Sequence, residues 1–311
     1  MSAATGTTVQ RDSLRRERLF GAIQRRGALA VLVAIVVVAG LTLDLFLSAR
    51  NIENILLHAS FVGLISVGMT FVIITGGIDL SVGSLVALGG VLAGFCAGVS
   101  WPLGLLVPTL ACGLYGLVNG LLIAKAKLPA FIVTLAGLLG IRGVALALSG
   151  TLTIPITGPP AFLWFGRGEI FGLDVPILVM FCAFAVGGSE EAARLAGVRV
   201  DRVKIIAYTT SGALAGLAGA LVAAWLSAGQ PTVGQAWELY AIASVVLGGT
   251  LLTGGAGSML GSLVGVLLFY TIQNVINQVG TLTSYTQQLV TGIFLIVVVA
   301  AQTYLTRQRT Y

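Results

Sequence analysis

Apolar residues run along this chain in long unbroken stretches, neither alternating nor confined to one helical stripe. The first extends from Ala28 to Leu47 and is broken only by Thr42 and Asp44. Others cover about 59–76, 80–99, 103–124 and 129–149. After a polar, proline-containing loop come a weaker run at 171–186 and four more at 205–228, 239–253, 257–279 and 285–304. A helix needs roughly 20 apolar residues to cross a bilayer, and a helix apolar on every side belongs in lipid or in a core. The pattern predicts an all-α fold, a polytopic transmembrane helical bundle of about ten spans.

Composition agrees with this. Of 311 residues 57% are hydrophobic and 9% charged, and the mean hydropathy is +1.02. A soluble domain is nearer a quarter charged, so a water-facing surface of ordinary composition is excluded. Six arginines (Arg11, Arg15, Arg16, Arg18, Arg25, Arg26) precede the first run. That run exceeds the 7–15 residues of a signal-peptide core and reads as an uncleaved span. With a cytoplasmic N-terminus, ten crossings place Lys125, Lys127, the 187–204 loop and the C-terminal tail inside as well. Together these segments hold 14 of the 17 basic residues, as the positive-inside bias requires. The net charge of +6 is therefore read as topology, with both termini cytoplasmic, and not as a nucleic-acid surface.

Little in the chain can do covalent chemistry. Cys96, Cys112 and Cys182 sit singly within apolar runs, without a CxxC pair, and read as small hydrophobic residues. The lone His58 has no ligand partner nearby in sequence. No phosphate-cradling Walker A loop and no G-x-S-x-G occurs, so no catalytic residue, metal or cofactor is expected. Glycine pairs punctuate the spans at Gly76-Gly77, Gly89-Gly90, Gly187-Gly188, Gly248-Gly249 and Gly254-Gly255. They allow close helix packing or helix breaks, and packing is the preferred reading for most. Gly76-Gly-Ile-Asp-Leu-Ser-Val-Gly-Ser-Leu-Val aligns with Gly254-Gly-Ala-Gly-Ser-Met-Leu-Gly-Ser-Leu-Val at an offset of 178, with six of eleven positions identical. This points to two related halves.

Asp79 stands between two apolar runs, followed by Ser81 and Ser84. It can cap the next helix through its carboxylate, or it can belong to a permeation path. Arg142 interrupts another run and must face protein or water if it lies within the span. Asn119, Gln273, Asn274 and Asn277 are further polar groups in apolar segments, and Gln273 and Asn277 share one helix face. Such groups suit a polar path for a hydroxylated solute, and they also bridge helices. In the 187–204 loop, Ser189 can cap a short helix with Glu190 and Glu191 in its first turn. Ala193 then belongs to a small-residue surface and Gly197 ends the helix.

The stretches TGGIDLSVGS, NGLLIAKAKLPAFIVTL, GGSEEAARLAGV and ELYAIASVVLGGTLLTGGAGSMLGSLVG resemble the membrane permease subunits of bacterial sugar ABC importers of the ribose and xylose type. The resemblance covers about residues 51–304. LPAFIVTLAGLLGIRG and the ending GTLTSYTQQLVTGIFLIVVVAAQ are most similar to the branch associated with galactofuranose uptake. The resemblance implies a multi-pass permease subunit of the cell inner membrane that pairs with a second permease subunit. It also implies a cytoplasmic ATP-binding subunit and a periplasmic sugar-binding protein as partners. Matched motif by motif, Gly76, Gly77, Asp79 and Ser81 fall in the family signature, and Glu190, Ala193 and Gly197 in the loop that docks the ATPase. The division that follows is a basic cytoplasmic tail at 1–27, a transmembrane permease domain at 28–304 with its coupling loop at 187–204, and a tail at 305–311.

The chain departs from the family in one place. Relatives carry a full span and a basic segment before the GG(N/S) loop, whereas Val175 to Val186 here leads almost directly into it. About twenty residues are missing by the length of a typical span and its flank. Rival readings are a permease for branched-chain amino acids or nucleosides, a self-sufficient secondary transporter, and a non-transporting remnant.

Overall fold

In the computed structural model the described residues are 27–157, 160–189 and 200–278, with isolated positions 286, 289, 292, 293 and 296 beyond them. Ten helices are seen among these residues. They are α1 (Gly27–Thr42), α2 (Ala49–Ile74), α3 (Val82–Ala97), α4 (Trp101–Ala124), α5 (Ala130–Ser149), α6 (Pro160–Arg167), α7 (Val175–Ser189), α8 (Val200–Leu226), α9 (Trp237–Leu247) and α10 (Met259–Gln278). Nine of the ten predicted apolar runs recur as helices, and the tenth, 285–304, lies largely outside the described residues. By length and apolarity α2, α4, α5, α8 and α10 can cross a membrane, whereas α1, α3, α7 and α9 are shorter.

Three boundaries differ from expectation, each for a local reason. The segment from 169 to 174 is not helical. Glu169–Ile170 and Leu173–Asp174 form a hairpin, β2 and β3, turned by Phe171 and Gly172 at φ +54° and +76°. Helix α9 stops at Leu247 rather than near 253, because Gly249 takes φ +92°, a conformation that suits glycine. The polar loop before the hairpin contains α6, whose Phe162 is buried among Ala93, Ala97 and Ala224.

Helix α2 is the most enclosed span, with 83% of its apolar window buried, and α7, α8, α9 and α10 pack around it. The outer helices turn apolar side chains outward: Leu106, Leu110 and Leu114 on α4, Phe131, Ile132 and Leu139 on α5. That is the arrangement lipid favours and water penalises. Contacts between helices rely on missing side chains. Gly212 and Gly216 of α8 lie on the α4 backbone at Cys112 and Pro108, and Gly219 lies on α3 at Val86. Gly212→Leu is expected to cost about 1–3 kcal/mol by overpacking, read as a lower thermal midpoint of the detergent-purified protein.

The packing sorts the loops into two ends. At one end Lys127 Nζ meets Asp201 Oδ1 at 2.9 Å, joining the α4–α5 turn to the start of α8. There also the Gly255 N–H donates to the Ile74 carbonyl at 3.0 Å. At the other end Ile154–Pro155 (β1) pairs antiparallel with Ala228–Gly229 (β4), and Arg167 Nε donates to the Trp225 carbonyl at 2.6 Å. Lysines 125 and 127 and the start of α8 thus share one end, and the 150–170 segment lies at the other, as the charge count required. Helix α7 runs alongside α2, with Met180 against Gly63 and Gly187 against Phe71 and Met259. Short as it is, it reaches from one end toward the other.

Candidate functional site

Two stretches of non-helical backbone enter the bundle. The first, 75–81, turns at Gly76 (φ +77°) and climbs back beside α8 before α3 begins. Asp79 at its centre is fully buried. Its Oδ1 accepts from the Ser81 N–H at 3.0 Å and the Ser81 hydroxyl at 2.6 Å, and its Oδ2 from the Ser211 hydroxyl at 2.9 Å. Ser211 stands seven residues beyond Lys204 on α8, about 10 Å along its axis, which is well inside a ~30 Å hydrocarbon core whose edge lies near that lysine. Asn119 Nδ2 on α4 donates to the Ser81 hydroxyl at 3.3 Å. The Ile78 carbonyl accepts from Thr134 Oγ1 at 3.2 Å and from the Tyr208 hydroxyl at 3.3 Å. Broken backbone at membrane depth must be satisfied by protein groups, and side chains of three helices, α4, α5 and α8, contribute to doing so.

The second stretch, 227–236, descends from the end of α8 to the first turn of α3. Its Gly234 carbonyl and the Glu238 carboxylate fill the space a side chain on Gly83 would need. Arg142 of α5 ties the second stretch to the first turn of α3. Its Nη1 donates to the carbonyls of Pro231 at 2.8 Å and Val233 at 2.7 Å, and its Nη2 to the Gly83 carbonyl at 3.1 Å. A planar guanidinium can serve several carbonyls at once. Arg142 and Asn119, two of the polar residues considered for a path, thus hold backbone and neighbouring helices.

The remaining three, Gln273, Asn274 and Asn277, converge. They line a cavity of about 220 Å³ between α2, α9 and α10, together with Asn54, Ile55, His58, Tyr240, Phe269 and Tyr270. The cavity lies toward the end away from the lysines. Asn274 also bridges helices: Asn51 Nδ2 donates to Asn274 Oδ1 at 3.1 Å and Asn274 Nδ2 to Asn51 Oδ1 at 2.8 Å. Among the described residues no hydrogen bond engages the side chains of Asn54 or Asn277. Amides that donate and accept, set beside aromatic rings and without a fixed charge, suit a neutral polar solute. Asn54, Tyr240 and Tyr270 carry no motif that singles them out in the sequence, and His58, which reads there as structural, also lines the cavity. Asn51, Asn54 and His58 lie three to four residues apart on α2, a face that carried the signal.

Glycine 76 and its repeat counterpart Gly254 share nearly the same backbone, at φ +77° and +79°, and the two turns touch, leaving no room for a side chain on Gly254. Gly77 lies against the Tyr208 ring. Glu190, Glu191, Ala193 and Gly197, expected from the sequence to dock an ATPase, lie outside the described residues. Glu53, Glu169 and Asp174 gather their carboxylates within 4.8 Å of one another. Burial, then repulsion by Glu53 and Glu169, pushes the Asp174 carboxyl above the usual range, so it protonates more readily than an exposed aspartate.

A family model described as branched-chain amino acid transport system / permease component matches residues 51–183 and 181–299. The chain is 40% identical to the ribose import permease protein RbsC of Bacillus subtilis (strain 168), with 90% of this chain and 92% of that one aligned. It is 42% identical to the inner membrane ABC transporter permease protein YjfF of Escherichia coli (strain K12), over 84% and 86% of the two chains. With the L-arabinose ABC transporter permease protein AraH of Azospirillum brasilense it shares 37% identity, over 92% and 90%. No solved structure matches the chain. The two family matches meet within α7. The alignment with the Bacillus protein has 301 positions yet takes in 90% of the 311 residues here, about 280, so about twenty positions lack a counterpart. That size agrees with the missing segment anticipated before the 187–204 loop.

Proposed function

The chain belongs to the branched-chain amino acid transport system / permease component family, and from that premise we propose that it carries a neutral, polyhydroxylated solute, a hexose such as galactofuranose or a pentose. It is a multi-pass membrane protein and the permease subunit of an ABC importer, not an enzyme, and ATP hydrolysis belongs to a separate subunit. The observation that carries the solute assignment is the cavity of Asn54, Tyr240, Gln273 and Asn277. An amino acid would bring a carboxylate and an ammonium group into it, and no Asp, Glu, Lys or Arg lines it. Hydroxyl groups can use its amides as donors and acceptors, and a sugar's C–H face can pack on the aromatic rings.

The lysine end is assigned to the cytoplasm of the inner membrane by the positive-inside bias, which puts the cavity toward the periplasm, where a sugar-binding protein would deliver. A cytoplasmic ATPase would dock on the 187–204 loop through Glu190, Glu191, Ala193 and Gly197, with a second permease subunit completing the path. Closure of the ATPases would then rock the helices that meet at the Gly76 and Gly254 turns.

Uptake of labelled galactofuranose, galactose, ribose and xylose, in cells with and without this chain and with its ATPase and binding protein co-expressed, tests the reading. Gln273→Leu is expected to lower uptake about tenfold, the equivalent of one hydrogen bond of roughly 1.4 kcal/mol, with membrane yield unchanged. Undiminished sugar uptake in the variant would remove the cavity from the sugar's path, and uptake of a nucleoside alone would refute the sugar assignment. The twenty missing positions favour a second reading, a subunit that inserts but does not transport. No uptake of any solute, restored by grafting the full span and basic flank of a relative, would establish it.

A further inference from the structure

The lysine end holds a second cavity, of about 270 Å³, between the 75–77 turn, the α4–α5 turn and the first turns of α8. Gly76 and Gly77 form one wall, Tyr208 the back, Ala130 the start of α5, and Lys127 and Lys204 stand at its sides. Its charge is one-sided. Lys125, Lys127 and Lys204 all act on a single carboxylate, Asp201. Lys127 bonds to it at 2.9 Å, and Lys204 makes no ion pair among the described residues. Helix α5 opens on the cavity without a side-chain cap, so the positive end of its dipole adds to the lysines.

An apolar stripe leads away from the cavity. Leu128, Phe131, Ile132 and Leu135 are 45%, 56%, 61% and 38% exposed. Their spacing of three and four residues puts them on one face of the chain entering α5. The cavity lies where α2 ends and α5 and α8 begin, at the level where a bilayer carries its phosphates. We propose that it binds the phosphate of an anionic phospholipid of the adjoining leaflet, with Lys127 and Lys204 on the headgroup and the acyl chains along the α5 stripe. A phosphate ion would use the same two lysines, but it would make no use of the lipid-facing stripe that starts at the cavity's rim. The lipid therefore fits both features.

The test uses the full chain, reconstituted into nanodiscs of phosphatidylcholine alone or of four parts phosphatidylcholine to one part phosphatidylglycerol. Lipid retained on re-extraction is read by native mass spectrometry. Phosphatidylglycerol should be retained selectively. Lys204→Gln should weaken retention about fivefold, the share of one lysine near an anionic surface. Lys204→Arg should restore it, and Arg202→Gln, an exposed charge outside the cavity, should leave it unchanged. Equal retention of the two lipids would overturn the proposal. An equal loss in Arg202→Gln would show diffuse surface charge instead, and displacement by inorganic phosphate would make the ion the ligand. None of these readouts depends on transport or on the identity of the solute.

Discussion

Arg142→Met is expected to abolish most folded protein while leaving synthesis and membrane targeting intact. Methionine keeps the apolar reach of the side chain and removes every donor. Three carbonyls, of Gly83, Pro231 and Val233, then lose the guanidinium that bonds them, inside a membrane domain where water does not replace it. At about 1–3 kcal/mol for each unsatisfied group, the loss is on the order of 3 kcal/mol or more. Glu238, 9% exposed, also loses the positive charge it faces. Arg142→Lys should be intermediate, because one ammonium point charge cannot span carbonyls on two separate stretches as a planar fork does. Fluorescence-detected size exclusion and the thermal midpoint report both effects. A stable, monodisperse Arg142→Met that fails only in uptake would place this arginine in the path and remove it from the scaffold.

Asp79→Ala carries the second large effect, a loss of about 3 kcal/mol from charge-assisted hydrogen bonds at roughly 1.5–3 kcal/mol each. Two of the three donors are serine hydroxyls, which can rotate toward other acceptors. The Ser81 N–H is fixed by the backbone that opens α3 and is left orphaned. Asp79→Asn separates structure from transport. Its amide oxygen can still accept from Ser81, and its NH2 can donate to the Ser211 oxygen, so stability should fall by only about 1 kcal/mol. If Asp79→Asn is stable and transports, the carboxylate is a structural acceptor. If it is stable but inactive, the charge itself serves translocation.

The repeat at an offset of 178 shows how far a linear pattern reaches. Matching letters at Gly76 and Gly254 pointed to two related halves, and at these two glycines the structure has turns with φ values of +77° and +79°. Nothing along the chain indicated that the two turns lie against each other, with the Gly255 N–H on the Ile74 carbonyl. Asp79 offers a similar contrast. A helix cap could be anticipated, because Ser81 is two residues away and an aspartate before an apolar run accepts nearby N–H groups. The part of the network on Ser211 and Asn119, 132 and 40 positions away, could not be anticipated.

The sequence by itself determined the class of fold, the spans and the sorting of the loops into two ends. Those properties follow from sums over consecutive residues, hydropathy across about 20 positions and basic charge within each loop. Only the tertiary structure decided which polar residues share a space. Among those singled out in apolar segments, Arg142 and Asn119 became supports for broken backbone, while Gln273, Asn274 and Asn277 came to face Asn54, His58 and Tyr240. A buried polar group away from water takes whatever partner the packing brings within about 3 Å. In this bundle glycines set how closely the helices approach, and that distance is a property of pairs of helices that no single stretch of chain contains.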